Sequence, residues 1–166
     1  TLAKTMTPDG KTMTLVEHDG DFSMRVEGRD LMHSSVSASE LHLGEIAVEH
    51  LRGASEGRVL VGGLGMGFTL KSVLAGAGAN IMVDVAELIP EVVEWNHTFM
   101  KDLNGGLLND PRVTVQTRDV CSILNRSKPN TTMPFCSIST MVRQPWCKRA
   151  TPDSIIDKAC SKSVAR

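Results

Sequence analysis

The sequence predicts an α/β chain in which a small N-terminal antiparallel β-sheet precedes an incomplete, doubly wound parallel sheet. Three observations predict it. Apolar and polar residues alternate within the first 36 positions, short apolar runs alternate with helical spacing from Arg58 onward, and a glycine turn follows the first of those runs. Three segments follow: a β-hairpin domain over 1–36, a partial parallel-sheet domain over 37–128, and an irregular tail over 129–166.

The N-terminal sheet is expected over about residues 4–33. Thr12-Met13-Thr14-Leu15-Val16 and Phe22-Ser23-Met24-Arg25-Val26 alternate, and Asp19-Gly20 between them is a hairpin turn signal. A helix near 38–52 follows, because Ser37-Ala38-Ser39-Glu40 fits a reciprocal capping box and Leu43, Ile46, Ala47 and Leu51 recur at helical spacing. Parallel strands are expected near 58–62, 81–86 and 113–117. Val59-Leu60-Val61 leads into Gly62-Gly63-Leu64-Gly65-Met66-Gly67, and Leu70, Val73 and Leu74 then mark one helix face. Ile81-Met82-Val83-Asp84-Val85-Ala86 ends at Glu87, with Pro90 in the first turn of the next helix, where its missing N–H costs least. Val93, Asn96, Met100 and Leu103 trace a face of that helix, flanked by Trp95 and Phe99, which read as core. Val113-Thr114-Val115 is the third strand and leads to Asp119.

Composition limits the function. A net charge of -1 and 4% aromatic residues provide neither a basic field nor stacking platforms for nucleic acid, so no nucleic-acid partner is expected. No apolar run approaches the ~20 residues that span a bilayer, and Thr1-Leu2-Ala3-Lys4 lacks a signal peptide's apolar core, so the expectation is a cytoplasmic chain with no membrane partner. Cys121, Cys136, Cys147 and Cys160 form no CxxC pair and the histidines no HExxH, so no metal site is expected. His42 and His50 lie on a helix without a fixed carboxylate and read as surface or packed residues rather than bases.

The glycine turn carries the chemistry. Glycines between a parallel strand and a helix bring backbone N–H groups and the positive helix end close to a ligand. Gly63, Gly65 and Gly67 form GxGxG rather than the GxGxxG of dinucleotide enzymes, a spacing that suits class I methyltransferase-type Rossmann folds and S-adenosyl compounds; a plain tight turn is the bland reading. Glu87, at the end of the second strand, offers two acceptor oxygens to two ribose hydroxyls, or is a solvated acid. Asp119 could accept from an adenine amino group, or cap a helix. Met66 would touch the ligand's sulfur end or fill space.

Thr7-Pro8-Asp9-Gly10, Glu17-His18-Asp19-Gly20-Asp21-Phe22-Ser23, VGGLGMGFTL (61–70) and VAELIPEVVEWN (85–96) together resemble the bacterial spermidine synthase-like proteins of the polyamine aminopropyltransferase family, over roughly residues 1–128. The resemblance implies a methyltransferase-type Rossmann domain that takes decarboxylated S-adenosylmethionine or S-adenosylmethionine as co-substrate, with no permanently bound cofactor. It implies a polyamine as the second small-molecule partner and leaves a homodimeric parent open. It further implies that Gly63, Gly65 and Gly67 line the methionine-side pocket, Glu87 the ribose and Asp119 the adenine.

The tail departs from that pattern. Such proteins continue with a fourth strand and an acidic loop like LLDVDNGP, whose aspartates orient and deprotonate the attacking amine, whereas 129–166 holds six Lys/Arg against two Asp and shows no such strand. Regrouping the codons of residues 135–148 from each third base forces glycine from Met141-Val142 and valine from Trp146-Cys147. Cys147-Lys148 then gives glutamine or a stop, and permitted choices elsewhere give LLDFDNGPTALVQ. The expectation is therefore an out-of-frame tail from near Pro129, a chain truncated with respect to its parent and inactive, with no catalytic residue assigned and its standing as an enzyme left open. Without a fourth strand, Val59 to Val61 would lie at a sheet edge. A methyltransferase and a non-catalytic adenosyl-ligand-binding module stay open as alternatives.

Overall fold

The computed structural model describes residues 1–49, 51–126 and 135–137, the last three and 124–126 by their backbone. Four strands, β1 (Ala3–Met6), β2 (Thr12–His18), β3 (Asp21–Val26) and β4 (Arg29–His33), pair antiparallel in chain order. Asp19 and Gly20 both have positive φ between β2 and β3, the two-residue turn whose twist matches the strands. A second such turn, at Glu27 and Gly28, carries no Asn-Gly or Asp-Gly signal. Glu27 tolerates its φ of 50° while its carboxylate accepts from the Thr12 N–H and its own N–H donates to the Thr12 carbonyl.

Helix α1 (Ala38–Glu49) starts where the capping signal falls, but Glu40 accepts from the Ser39 hydroxyl at 2.6 Å rather than reaching back in a reciprocal box. Its buried face is Gly44, Ala47 and Val48; Ile46, expected inside, is 44% exposed. Small residues win because α1 lies very close to α2 (Phe68–Gly76). The hydroxyls of Thr69 and Ser72 on α2 donate to the carbonyls of Glu40 and Leu41 at 2.7 and 2.6 Å.

The second sheet contains β5 (Gly57–Gly62), β6 (Ile81–Glu87) and β7 (Val113–Thr117), all parallel, as the apolar runs predicted. The expectation of no fourth strand is corrected. Residues Phe135–Ser137 form β8, parallel to β5 with Leu60 opposite Phe135 and Gly62 opposite Ser137, so the order is β7-β6-β5-β8 and β5 is interior. An unpaired row of N–H and C=O groups along β5 is a template for any extended segment within reach, and three residues suffice to occupy part of it. The rest of the expected out-of-frame tail, 129–134 and 138–166, lies outside the described residues.

Val59, Val61, Val83 and Val85 point to one face, where they join Leu70, Val73 and Leu74 of α2, and Val92 and Trp95 of α3 (Pro90–His97). Met13, Leu15 and Met24 of the N-terminal sheet belong to the same core, so the two sheets share one apolar interior. Trp95 is core as expected, whereas Phe99 is 42% exposed because α3 ends at His97 and the chain turns before α4 (Lys101–Asn104). No helix among the described residues is long and apolar enough to cross a membrane.

Candidate functional site: the glycine loop and the strand ends

Strand order reverses at β5, with β6 on one side and β8 on the other; in open α/β sheets ligands bind outside the carboxyl ends of the strands at such a point. The glycine loop leaves β5 there. The Gly63 N–H donates to the Ala86 carbonyl at 2.7 Å, prolonging the ladder beyond the strand, and the Gly67 N–H closes a turn on the Leu64 carbonyl at 2.9 Å. Gly63, Gly65 and Gly67 have φ of 90°, 53° and 83°, a left-handed region that strains other residues. Gly67 is the N-cap of α2 and supplies no side-chain hydrogen bond to the helix's first N–H groups.

Glu87 is buried and tied to this loop. One carboxylate oxygen accepts from the Leu64 N–H at 2.8 Å, the other from the Ile89 N–H at 2.9 Å. It is therefore not the solvated acid of the bland reading, and it braces the loop against the end of β6. Each oxygen retains a second acceptor site.

Asp119 follows β7 and is exposed. Its carboxylate accepts from the Cys121 N–H at 2.9 Å and its carbonyl from the Ser122 hydroxyl at 2.7 Å, so it caps α5 (Val120–Arg126). The three successive strands thus bring the glycines, Glu87 and Asp119 to the same end of the sheet, with Glu87 opposite Thr117 in the β6–β7 ladder. Met66 is fully buried and fills space. His42 is exposed with its Nδ1 3.4 Å from Glu45, an i,i+3 partner the sequence reading did not assign; His50 lies outside the described residues. Among the described residues no group of three or more His, Cys, Asp or Glu is placed to hold a metal.

Three contributors went unassigned in the sequence. Met32 of β4 lies over the loop, its sulfur 2.7 Å from where a Cβ on Gly65 would stand. Asn96 and Asn104, both buried, reach the loop from α3 and α4: the Asn96 amide donates to the Gly65 carbonyl at 2.8 Å, and Asn104 donates to Asn96 Oδ1 at 2.8 Å. The available signal was an asparagine among the apolar positions of a predicted helix face, since a buried amide needs fixed partners.

No protein-family model and no curated protein sequence matches the chain. Solved structures do. A spermidine synthase from Thermotoga maritima superposes with a TM-score of 0.65 at 17% identity, over 84% of this chain and 46% of that one. The chain has a spermidine synthase fold. A spermidine synthase in complex with the transition state analogue AdoDATO is equally similar, at 0.65 and 16% identity over 83% of this chain and 47% of that one. A probable spermidine synthase from Corynebacterium glutamicum ATCC 13032 gives 0.51 and 14% identity, over 76% and 48%. The chain thus spans about half the length of the solved spermidine synthases it matches.

Proposed function

We propose that the crevice at the glycine loop binds the adenosyl part of decarboxylated S-adenosylmethionine and that the chain derives from an aminopropyltransferase of polyamine biosynthesis acting on putrescine in the cytoplasm. The observation that carries the reading is the buried Glu87 carboxylate, fastened to the glycine loop at the switch point of a spermidine synthase fold. There its second acceptor sites suit two ribose hydroxyls, with Gly63, Gly65 and Gly67 beside the sulfur end and Asp119 toward the adenine. The partners proposed are small molecules only.

In the reaction a neutral amine nitrogen attacks the carbon next to the sulfonium. The N–C bond forms as the C–S bond breaks, the electron pair goes to sulfur to leave methylthioadenosine, and a carboxylate takes the amine proton. Alignment of nitrogen, carbon and sulfur supplies much of the rate, and the carboxylate keeps the amine nucleophilic. The glycine loop and Glu87 serve the first requirement. For the second, the sequence of 129–166 offers only Asp153 and Asp157 as acids, neither preceded by an apolar run of strand length. The chain as written is therefore expected to bind without transferring.

The test assays the chain and a version repaired in frame near Pro129 with putrescine and either decarboxylated S-adenosylmethionine or S-adenosylmethionine. The expected result is spermidine from the repaired protein with the decarboxylated donor and none from the chain as written. Equal rates from both would overturn the role given to the acidic loop, and methyl transfer by the repaired protein would favour a methyltransferase.

A further inference from the structure

Met32 is the point at which the N-terminal sheet reaches the glycine loop. Its Sδ and Cε lie 2.7 and 2.9 Å from where a Cβ on Gly65 would stand, so the thioether end rests on the bare Cα of the middle glycine of Gly63, Gly65 and Gly67. Both sides of that contact are held. On the sheet, Met32 stands opposite the buried Met24 of β3, and the end of β4 is pinned: the Ser34 N–H donates to the Phe22 carbonyl and the Phe22 N–H to the Ser34 hydroxyl, each at 2.9 Å. On the loop, the Asn96 amide donates to the Gly65 carbonyl at 2.8 Å. Leu64 and Met66 of the loop are buried, whereas Met32 is only partly so and keeps some of its surface open.

The wall that Met32 builds is apolar. Among the described residues, the side chains hydrogen-bonded to the backbone of the loop are Glu87 and Asn96, and neither brings a positive charge. The alternation of side chains along a strand carries His33 to the other face of the sheet, where its Nδ1 lies 2.7 Å from the Ser35 hydroxyl. S-adenosylmethionine and its decarboxylated form share the adenosine, the sulfonium and the amine, and they differ in one carboxylate. A polarisable thioether packs well on the methylene groups beside a sulfur. A carboxylate set against the same thioether gives up water and gains no donor.

We propose that Met32 is a specificity-determining residue, an apolar wall at the sulfur end of the crevice that favours adenosyl ligands without a carboxylate over S-adenosylmethionine. The inference rests on the reading of the glycine loop as the adenosyl site, with Gly65 beside the sulfur. Met32 takes no part in bond making; its effect is on which donor is held.

The experiment titrates methylthioadenosine, decarboxylated S-adenosylmethionine and S-adenosylmethionine into the full chain and into two variants by calorimetry. The native chain is expected to bind the decarboxylated donor about tenfold more tightly than S-adenosylmethionine. Met32→Leu keeps an apolar wall and should keep that ratio. Met32→Gln has a similar length and an amide N–H that can pair with the carboxylate, so it should raise the affinity for S-adenosylmethionine and bring the ratio close to one, with methylthioadenosine changed by no more than about twofold. The ratio is read between ligands on one preparation, so a fraction of unfolded protein does not alter it, and a merely structural role for Met32 would weaken all three ligands together. A native chain that binds both donors equally, or a Met32→Gln chain that keeps the native ratio or weakens all three alike, overturns the inference. A native chain that binds none of the three overturns the adenosyl reading itself.

Discussion

Glu87 has a structural role at the glycine loop, to which the proposed function adds a binding one. Its two bonds to backbone N–H groups are charge-assisted, a class worth about 1.5–3 kcal/mol each, and they hold the loop in shape before any ligand arrives. Glu87→Ala is expected to leave two N–H groups unpaired, lower the melting temperature, and weaken adenosyl-ligand affinity more than tenfold. A thermal melt and a calorimetric titration check the two effects separately. Asp110 makes a different prediction. Hydrogen bonds from the Arg112 guanidinium, the foremost cause, and from the Arg112 backbone hold its carboxyl below the ordinary value of 3.8. Arg112 also donates to the carbonyls of Leu74, Ala77 and Gly78 at the end of α2, so the pair ties the approach to β7 to that helix. A carboxyl whose pKa is depressed by folding contributes stability that is complete above its unfolded value and lost as the pH falls through its folded value. Acid unfolding followed below pH 3.8 should therefore differ between the native chain and Asp110→Asn, and the two curves should run parallel above that range.

Among the elements, the contact between α1 and α2 is the most sensitive to a single atom. A Cβ on Gly44 would stand 2.6 Å from Ser72 Cβ and 2.8 Å from the Thr69 carbonyl oxygen, and the latter is backbone. Gly44→Ala should force the helices apart and destabilise by about 1–3 kcal/mol, despite alanine's better helix propensity; urea unfolding of the two proteins measures it. The sequence made β5, β6 and β7 legible because each is a short apolar run bounded by turn residues, and it made the glycines and Glu87 legible because they end those runs. It did not reveal Gly44 as a contact, nor Ile46 and Phe99 as exposed, because which helix face is buried depends on how closely its neighbour approaches and where the helix stops. Asn96, Asn104 and Met32 were hidden for a related reason. They meet the loop only once α3, α4 and the N-terminal sheet have packed around it. β8 was hidden because three residues in a segment without periodicity carry no strand signal, and the sheet itself supplies the reason they extend.

For the whole molecule, the order β7-β6-β5-β8 puts the glycine loop at the reversal point and a shared core beneath it, joining the N-terminal sheet to the parallel one. Nearly every described part of the site is fastened to another element: Leu64 to Glu87, Gly65 to Asn96, and Gly65 against Met32. That is the arrangement expected of a loop kept ready for a ligand, since rigidity before binding lowers the entropy lost on binding. The central claim is that this crevice holds an adenosyl ligand through Glu87. The measurement that tests it most directly is a calorimetric titration of methylthioadenosine into the full chain and into Glu87→Ala, with both shown by circular dichroism to be folded. The account predicts one-to-one binding to the native chain and affinity at least tenfold weaker in the variant; a native chain that takes up no methylthioadenosine, or a variant that binds it equally well, would contradict it.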